Sequence, residues 1–250
     1  MAELGGQAAL VMGALGIAGR AVAEKLAQGG AAVMLCARRA KSGEELAELL
    51  RAKGHDAAFI AADVTRRSEV IAAVDATVER FGRIDILANC FSDDHLSRFL
   101  EDEEPAWDRM IAVNYKGLLY SCHAALTHMV PQRYGRIVNL SSDSGKIGAT
   151  RETVQSGLKA AVIAFSKSLA REVARDAVTV NTVCLGVTQE SPGPRPGVSQ
   201  AGYDAFIHLI PFRRPAQPAE VAAVVAFLAS REASYVTGQA ISASGGLTMC

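Results

Sequence analysis

The chain has 250 residues, 50% hydrophobic and 21% charged, which is enough apolar material to bury the core of a large domain and excludes disorder as its main state. Its 26 Lys and Arg balance 26 Asp and Glu, so no overall field holds nucleic acid or an anionic membrane. No apolar run approaches the roughly 20 residues that cross a bilayer, and Glu3 stands where a secretory leader carries basic residues, so a soluble cytoplasmic protein is expected.

Short runs rich in Val, Ile and Ala alternate with stretches whose apolar residues recur every three to four positions. Strands are predicted at AALVM (8–12), AVMLC (32–36), AAFIA (57–61), IDILA (84–88), RIVNL (136–140), VTVNTV (178–183) and QAISA (239–243). Between them Val70, Val74, Val78 and Phe81 mark one helical core stripe, and Leu158, Val162, Phe165 and Leu169 mark another. This alternation predicts βαβ units around a parallel sheet, and without a composition break or repeat, residues 1–250 form a single domain. Right-handed crossovers bring the carboxyl ends of such strands to one crevice, so the loops after residues 12, 36, 61, 88, 140 and 183 should carry the function. The Pro-rich stretch 190–197 cannot continue a strand or helix and reads as a substrate lid or a plain connection over that crevice. Tyr203, Phe206 and His208 beyond it line a pocket or, as such spacing more often does, seal a core or an interface.

Cys36, Cys90, Cys122, Cys184 and Cys250 are odd in number, far apart and without a CxxC pair, and the five His form no HExxH pair. Neither a disulfide framework nor a metal site is expected, and the thiols read as buried core groups.

The first strand runs into Gly13-Ala-Leu-Gly16-Ile-Ala-Gly19, a glycine turn opening a helix, which lets a pyrophosphate approach the backbone and aims helix amides at it. Further segments follow in order: Asp63-Val64 after the third strand, Asn89 after the fourth, Asn114 on the next helix, Ser141-Ser142 at the fifth, Lys159, then Asn181 to Gly186, and Tyr235 to Gly246. Together they resemble the short-chain dehydrogenase/reductase family over essentially the whole chain. The resemblance implies a single-domain α/β fold, a Rossmann-like doubly wound parallel sheet with helices on both faces. It also implies hydride transfer between a nicotinamide cofactor and an alcohol or carbonyl, in dimers or tetramers built through the two long helices around 106–130 and 153–175.

In that family a Tyr four residues before a Lys carries the proton, the Lys tunes it and holds the nicotinamide ribose, a Ser bonds the reacting oxygen, and an Asn supports a water relay. Asn114, Ser142 and Lys159 match, but the Tyr position holds Gln155, and no Tyr lies between Tyr134 and Tyr203 to restore it. A carboxamide is not ionisable near neutral pH, so these four residues form a remnant of the catalytic set. In the phosphate turn Gly13 and Gly19 are kept, but Ile17 takes the place of the glycine that lets the backbone touch the pyrophosphate, or, in an alignment one residue shorter that uses Gly16-Ile17-Ala18, Ala18 takes the place of the last glycine. Asp63, Val64 and Asn89 complete the degenerate cofactor set. At the end of the second strand Cys36-Ala37 stands where NAD-using relatives carry an acidic residue, and Arg38 and Arg39, which follow, point to NADP if this chain binds any dinucleotide. After Asn89, Cys90-Phe91-Ser92 puts a bulky ring where small residues face the cofactor.

Three readings follow. In the first, the chain binds no cofactor and is a pseudoenzyme subunit that assembles with an active short-chain dehydrogenase paralogue, which holds NAD, in a heterodimer or heterotetramer. Some hydroxyacyl-CoA dehydrogenases of the family pair one competent with one defective subunit, such as the benzylsuccinate-pathway 2-[hydroxy(phenyl)methyl]succinyl-CoA dehydrogenase of anaerobic aromatic catabolism. The segment 233–249 is similar to acyl-CoA dehydrogenases of the family. In the second, an NADP-dependent oxidoreductase uses a displaced proton donor, with Lys146, Glu152 or Lys159 nearby in sequence. The third is a cofactor-free isomerase, lyase or ligand-binding protein.

Overall fold

A computed structural model describes residues 2–189 and 198–250 of the chain. The apolar runs build one seven-stranded sheet with order β3-β2-β1-β4-β5-β6-β7. Its strands are β1 (Ala8–Met12), β2 (Ala32–Ala37), β3 (Ala57–Ala61), β4 (Ile86–Asn89), β5 (Gly135–Ser142), β6 (Val178–Leu185) and β7 (Ala240–Ala243). Every pairing is parallel. The central strands are covered on both faces, which explains why AALVM reads as a continuous apolar run with no alternation.

Helices α1 (Ile17–Gln28), α2 (Ala40–Ala52), α3 (Arg67–Phe81), α4 (Glu104–Ile111), α5 (Gly117–Gln132), α6 (Ser144–Ile147), α7 (Thr153–Val173), α8 (Gln200–Ile207) and α9 (Pro218–Ala229) join and flank the strands. Ala9 and Val11 of β1 point to the cluster built with Val22, Leu26, Leu46 and Val225 of α1, α2 and α9. Leu10 and Met12 point the other way, to Val70, Val74, Leu118 and Val162 of α3, α5 and α7. The strand period of two thus loads both cores from a single strand. The expected α/β Rossmann-like, doubly wound architecture is the observed one.

The stripe on α3 lies where expected, with Val70 and Val74 buried and Val78 and Phe81 packed on the same cluster. On α7 the most buried face is turned away from the stripe: it carries Gln155, Lys159, Val162, Ser166 and Ala170, while Leu158, Phe165 and Leu169 are only half-buried. Polar side chains take the inner face because they find partners there, as described below. The half-buried apolar row is left on the flank of the helix.

Between α4 and α5 the helix winds through a π turn, Ala112–Lys116, which contains Asn114. Such a turn widens the backbone spiral locally and aims one side chain out of the regular ladder.

At the opposite end of the sheet, Asp85 clamps the amino ends of two strands. It is fully buried, accepts the Ala8 N–H at 2.9 Å and takes two bonds of 2.6 Å from the Arg83 guanidinium. Asp85→Ala leaves a buried N–H without a partner and breaks a charge-assisted fork, so we expect a loss of about 3 kcal/mol, read as a lower urea midpoint at unchanged slope.

Candidate functional site

The carboxyl ends of β1, β4 and β5 meet the amino ends of α1 and α7 in the crevice. The glycine turn is shaped by two close approaches. Gly13 has φ +81°, and a Cβ there would lie 2.7 Å from the Phe91 nitrogen; a Cβ on Gly19 would lie 2.2 Å from the Gly13 carbonyl oxygen. Both positions therefore admit only glycine, and they hold the β1–α1 and β4 turns against each other. Gly16 caps α1, and Ile17 is its first residue, 38% exposed. The branched side chain stands at the amino end of the helix, where its free N–H groups would otherwise meet an anion.

Arg38 and Asp63 stand beside one another at the ends of β2 and β3. Partial burial pushes the Asp63 carboxyl up, but hydrogen bonds from the Thr65 N–H and hydroxyl and the charges of Arg38 and Arg66 outweigh it and hold it below its usual range. Val64 packs against Gly117 at the start of α5. Asn89 is turned inward: its amide donates to Asn139 Oδ1 at 2.8 Å, and Asn139 donates to Ser166 Oγ at 2.9 Å. That side chain ties β4 to β5 and α7. Phe91 packs on the core cluster beneath α3, α5 and α7.

Asn114, Gln155 and Lys159 converge, at 3%, 4% and 5% exposure respectively. Lys159 Nζ donates to Ser92 Oγ at 2.9 Å and to Asn114 Oδ1 at 3.2 Å. Asn114 is fixed by bonds from its amide to the carbonyls of Asp93 (2.8 Å) and Met110 (3.0 Å). The Gln155 amide donates to Asp94 Oδ1 and, at 3.4 Å, to Ser92 Oγ, while its carbonyl lies 3.5 Å from the Asn114 amide. Burial pulls the Lys159 ammonium below its usual range, and the Asp94 and Glu152 carboxylates push it back up. Ser142, at the end of β5, accepts from the Ser144 N–H and hydroxyl at 3.2 and 3.0 Å and makes no hydrogen bond to Gln155 among the described residues. Three of the four residues Asn114, Ser142, Gln155 and Lys159 therefore form one cluster, and Ser142 faces its own loop.

Lys146 is drawn away from the cluster. Its ammonium donates to the Ala240 carbonyl at 2.8 Å, to Ser242 Oγ at 2.9 Å and to the Cys250 carbonyl at 2.5 Å, pinning β7. Glu152 precedes α7 and acts on Lys159 through its charge. On the segment after β6, Tyr203 is half-buried while Phe206 and His208 are exposed; the stretch 190–197 lies outside the described residues. Among the described residues no group of His, Cys, Asp and Glu is placed to hold a metal ion, and no helix is long and apolar enough to cross a membrane.

Two participants escaped the sequence reading, Ser92 as a partner of Lys159 and Asp94 as a partner of Gln155. The available signal was the acidic pair Asp93-Asp94 in the loop after the fourth strand, separated from its end by Cys90-Phe91-Ser92.

A family profile described as enoyl-(acyl carrier protein) reductase matches residues 13–248. The chain belongs to the short-chain dehydrogenase/reductase family. It is 35% identical over 249 residues to a 3-oxoacyl-[acyl-carrier-protein] reductase FabG of Vibrio cholerae, covering 99% of both chains. It is 37% identical over 250 residues to nodulation protein G of a Rhizobium species, covering both completely. Among solved structures, that of gox2181 superposes with a TM-score of 0.94 at 32% identity, covering 98% of this chain and 96% of that one. Members of this family are oxidoreductases that generally bind NAD or NADP.

Proposed function

We propose that this short-chain dehydrogenase/reductase chain is a non-catalytic subunit. It assembles with an active paralogue, in a heterodimer or heterotetramer, into an NAD-dependent dehydrogenase of alcohols, with 3-hydroxyacyl-CoA thioesters as the substrate class. One observation carries the reading: the buried side chain at the proton-transfer position is an amide, and its own N–H is spent on Asp94. Gln155 offers no proton in either direction, and the absence of a positioned acid/base removes about 10² to 10⁴ in rate. Ile17 at the head of α1 supports the same reading, because a branched side chain there competes with a pyrophosphate for the helix amides. The residues present do not fit a dinucleotide, so NAD belongs to the paralogue, and Arg38 would favour NADP in this chain if any bound. Relatives named for 3-oxoacyl-[acyl-carrier-protein] reduction support a thioester substrate. The half-buried row Leu158, Phe165 and Leu169 on α7 supports pairing of that helix with a partner.

A second reading, redox activity with a displaced proton carrier, is favoured by one observation. The Asp94 carboxylate touches the Gln155 amide and reaches Lys159 through the Ser92 hydroxyl. One titration separates the two. The purified chain alone should give no NADH or NADPH fluorescence enhancement at micromolar to submillimolar coenzyme and no turnover. Co-expression with a Tyr-x-x-x-Lys paralogue encoded beside it should give a stable complex with turnover. Micromolar binding by the chain alone, with turnover abolished in Asp94→Asn, would establish the second reading and end the first.

A further inference from the structure

Residues 92–98 cross the mouth of the crevice, and side chains from several elements hold them along their length. At the near end, Ser92 Oγ accepts from Lys159 and lies 2.9 Å from Asn114 Oδ1 and 2.5 Å from Asp94 Oδ1, with one proton to give to either. Next, Asn114 takes the Asp93 N–H at 3.3 Å and donates to the Asp93 carbonyl at 2.8 Å, while Arg109 pairs with the Asp93 carboxylate at 2.7 Å. Asp94 then meets Gln155. At the far end, Ser97 N–H donates to the Arg151 carbonyl at 3.0 Å and the Arg151 guanidinium reaches the Leu96 carbonyl at 3.4 Å.

The burial contrast gives these contacts their meaning. Ser92 and Asp94 are exposed, whereas Lys159, Gln155 and Asn114 beneath them are at most 5% exposed. Lys159 has two hydrogen-bond acceptors, and one of them comes from this segment. The inward donors of the cluster are thus satisfied by the chain itself. An incoming ligand must first break several hydrogen bonds that reinforce one another.

We propose that residues 92–98 form a strap that keeps the crevice shut, with Ser92 and Asp94 serving as a built-in ligand on Lys159, Asn114 and Gln155. The strap goes beyond the subunit reading and does not depend on it, since a closed crevice is compatible with either a silent subunit or an enzyme that opens. The far anchor shows where it can be released. Arg151 sits in the left-handed region at φ 68°, a conformation that glycine adopts freely. Arg151→Gly should therefore remove the guanidinium bond to the Leu96 carbonyl and loosen that end, keeping the Ser97 N–H bond, an unstrained backbone and an untouched buried cluster.

The test measures the chemical accessibility of Lys159 and needs neither cofactor nor partner, so its failure is separate from that of the proposed function. Reductive methylation with formaldehyde and cyanoborohydride is followed residue by residue through peptide mass spectrometry. In the wild type Lys159 should react about tenfold or more slowly than Lys167, which is exposed on the same helix, because reaction requires local opening. In Ser92→Gly/Asp94→Ala, and to a smaller degree in Arg151→Gly, the ratio should rise about fivefold or more, together with faster amide hydrogen exchange over 92–98. Arg151→Gly decides the matter if the double variant does not fold. A wild-type Lys159 as reactive as Lys167 overturns the strap. So does a variant whose strap amides exchange faster while Lys159 stays as protected as before.

Discussion

Gln155→Tyr by itself should restore no measurable NADPH-dependent reduction of a ketone probe such as acetoacetyl-CoA. The substitution returns an ionisable hydroxyl four residues before Lys159, but three obstacles remain in place. Ile17 still stands at the amino end of α1, Ser92 still holds the lysine, and Asp94 still lies against position 155. A proton carrier contributes about 10² to 10⁴ only once the hydride donor is bound beside it. We therefore expect turnover only when Gln155→Tyr is combined with Ile17→Gly, Ser92→Gly and Asp94→Ala, and the gain from the tyrosine in that background should fall within that range. Turnover in the single variant would show that the phosphate turn was never the obstacle. The comparison is a stopped assay with each variant at equal folded concentration, since Ile17→Gly removes a side chain from the first turn of a helix.

A large loss of stability should appear on raising the pH. Burial pushes the Cys36, Cys90 and Cys122 thiols from 9.0 up to about 12, and Cys184 to about 11. A thiol whose pKa is higher in the folded than in the unfolded chain stabilises the fold fully below the unfolded value, and that contribution disappears as the pH rises through the folded one. The window is thus pH 9 to about 11–12, with about 1.4 kcal/mol lost per thiol per pH unit. At pH 10 the four together withdraw on the order of 5 kcal/mol, a large share of the 5–15 kcal/mol that stabilises an ordinary domain. Lys159 acts in the opposite sense, because its folded pKa is depressed and the unfolded chain binds the extra proton, so it returns part of the loss. Urea midpoints at pH 8, 9 and 10 should fall steeply, and Cys90→Ala should flatten the slope while costing a cavity at pH 8. A flat profile would mean that the thiols reach water in the native state.

The central strands were legible because burial on two faces leaves no choice of side chain, and the half-buried edge strand β3 because AAFIA is a short apolar run between His55-Asp56 and Asp63. AALVM and AAFIA coincide with β1 and β3, and the fifth and sixth runs were only lengthened, by Gly135 and the serines at one and by Cys184 and Leu185 at the other. The α3 stripe was legible for the same reason. On α7 the apolar period pointed one face away from the buried one, since Gln155, Lys159 and Ser166 are inside for their hydrogen bonds, which a hydropathy pattern cannot register. Ser92 and Asp94 lie 67 and 61 residues from the side chains they meet, in a loop without periodicity, so the acidic pair marked the loop but only the folded chain shows which side chains it meets. Lys146 shows the converse, for nearness in sequence to Ser142 suggested the crevice, but its ammonium is held at the far edge by β7.

The widened winding at Ala112–Lys116 makes the chain unusually intolerant of one kind of change. The wide turn holds one more residue than a regular turn, so deleting any single residue there would let α4 run into α5 as an uninterrupted spiral with the flanking turns kept in register. Leu118 and Cys122 would stay in the core they fill, but Asn114 would lose the turn that aims it at the lysine. A gap in this short stretch of a relative's sequence therefore signals a reorganised crevice even where every other residue is retained.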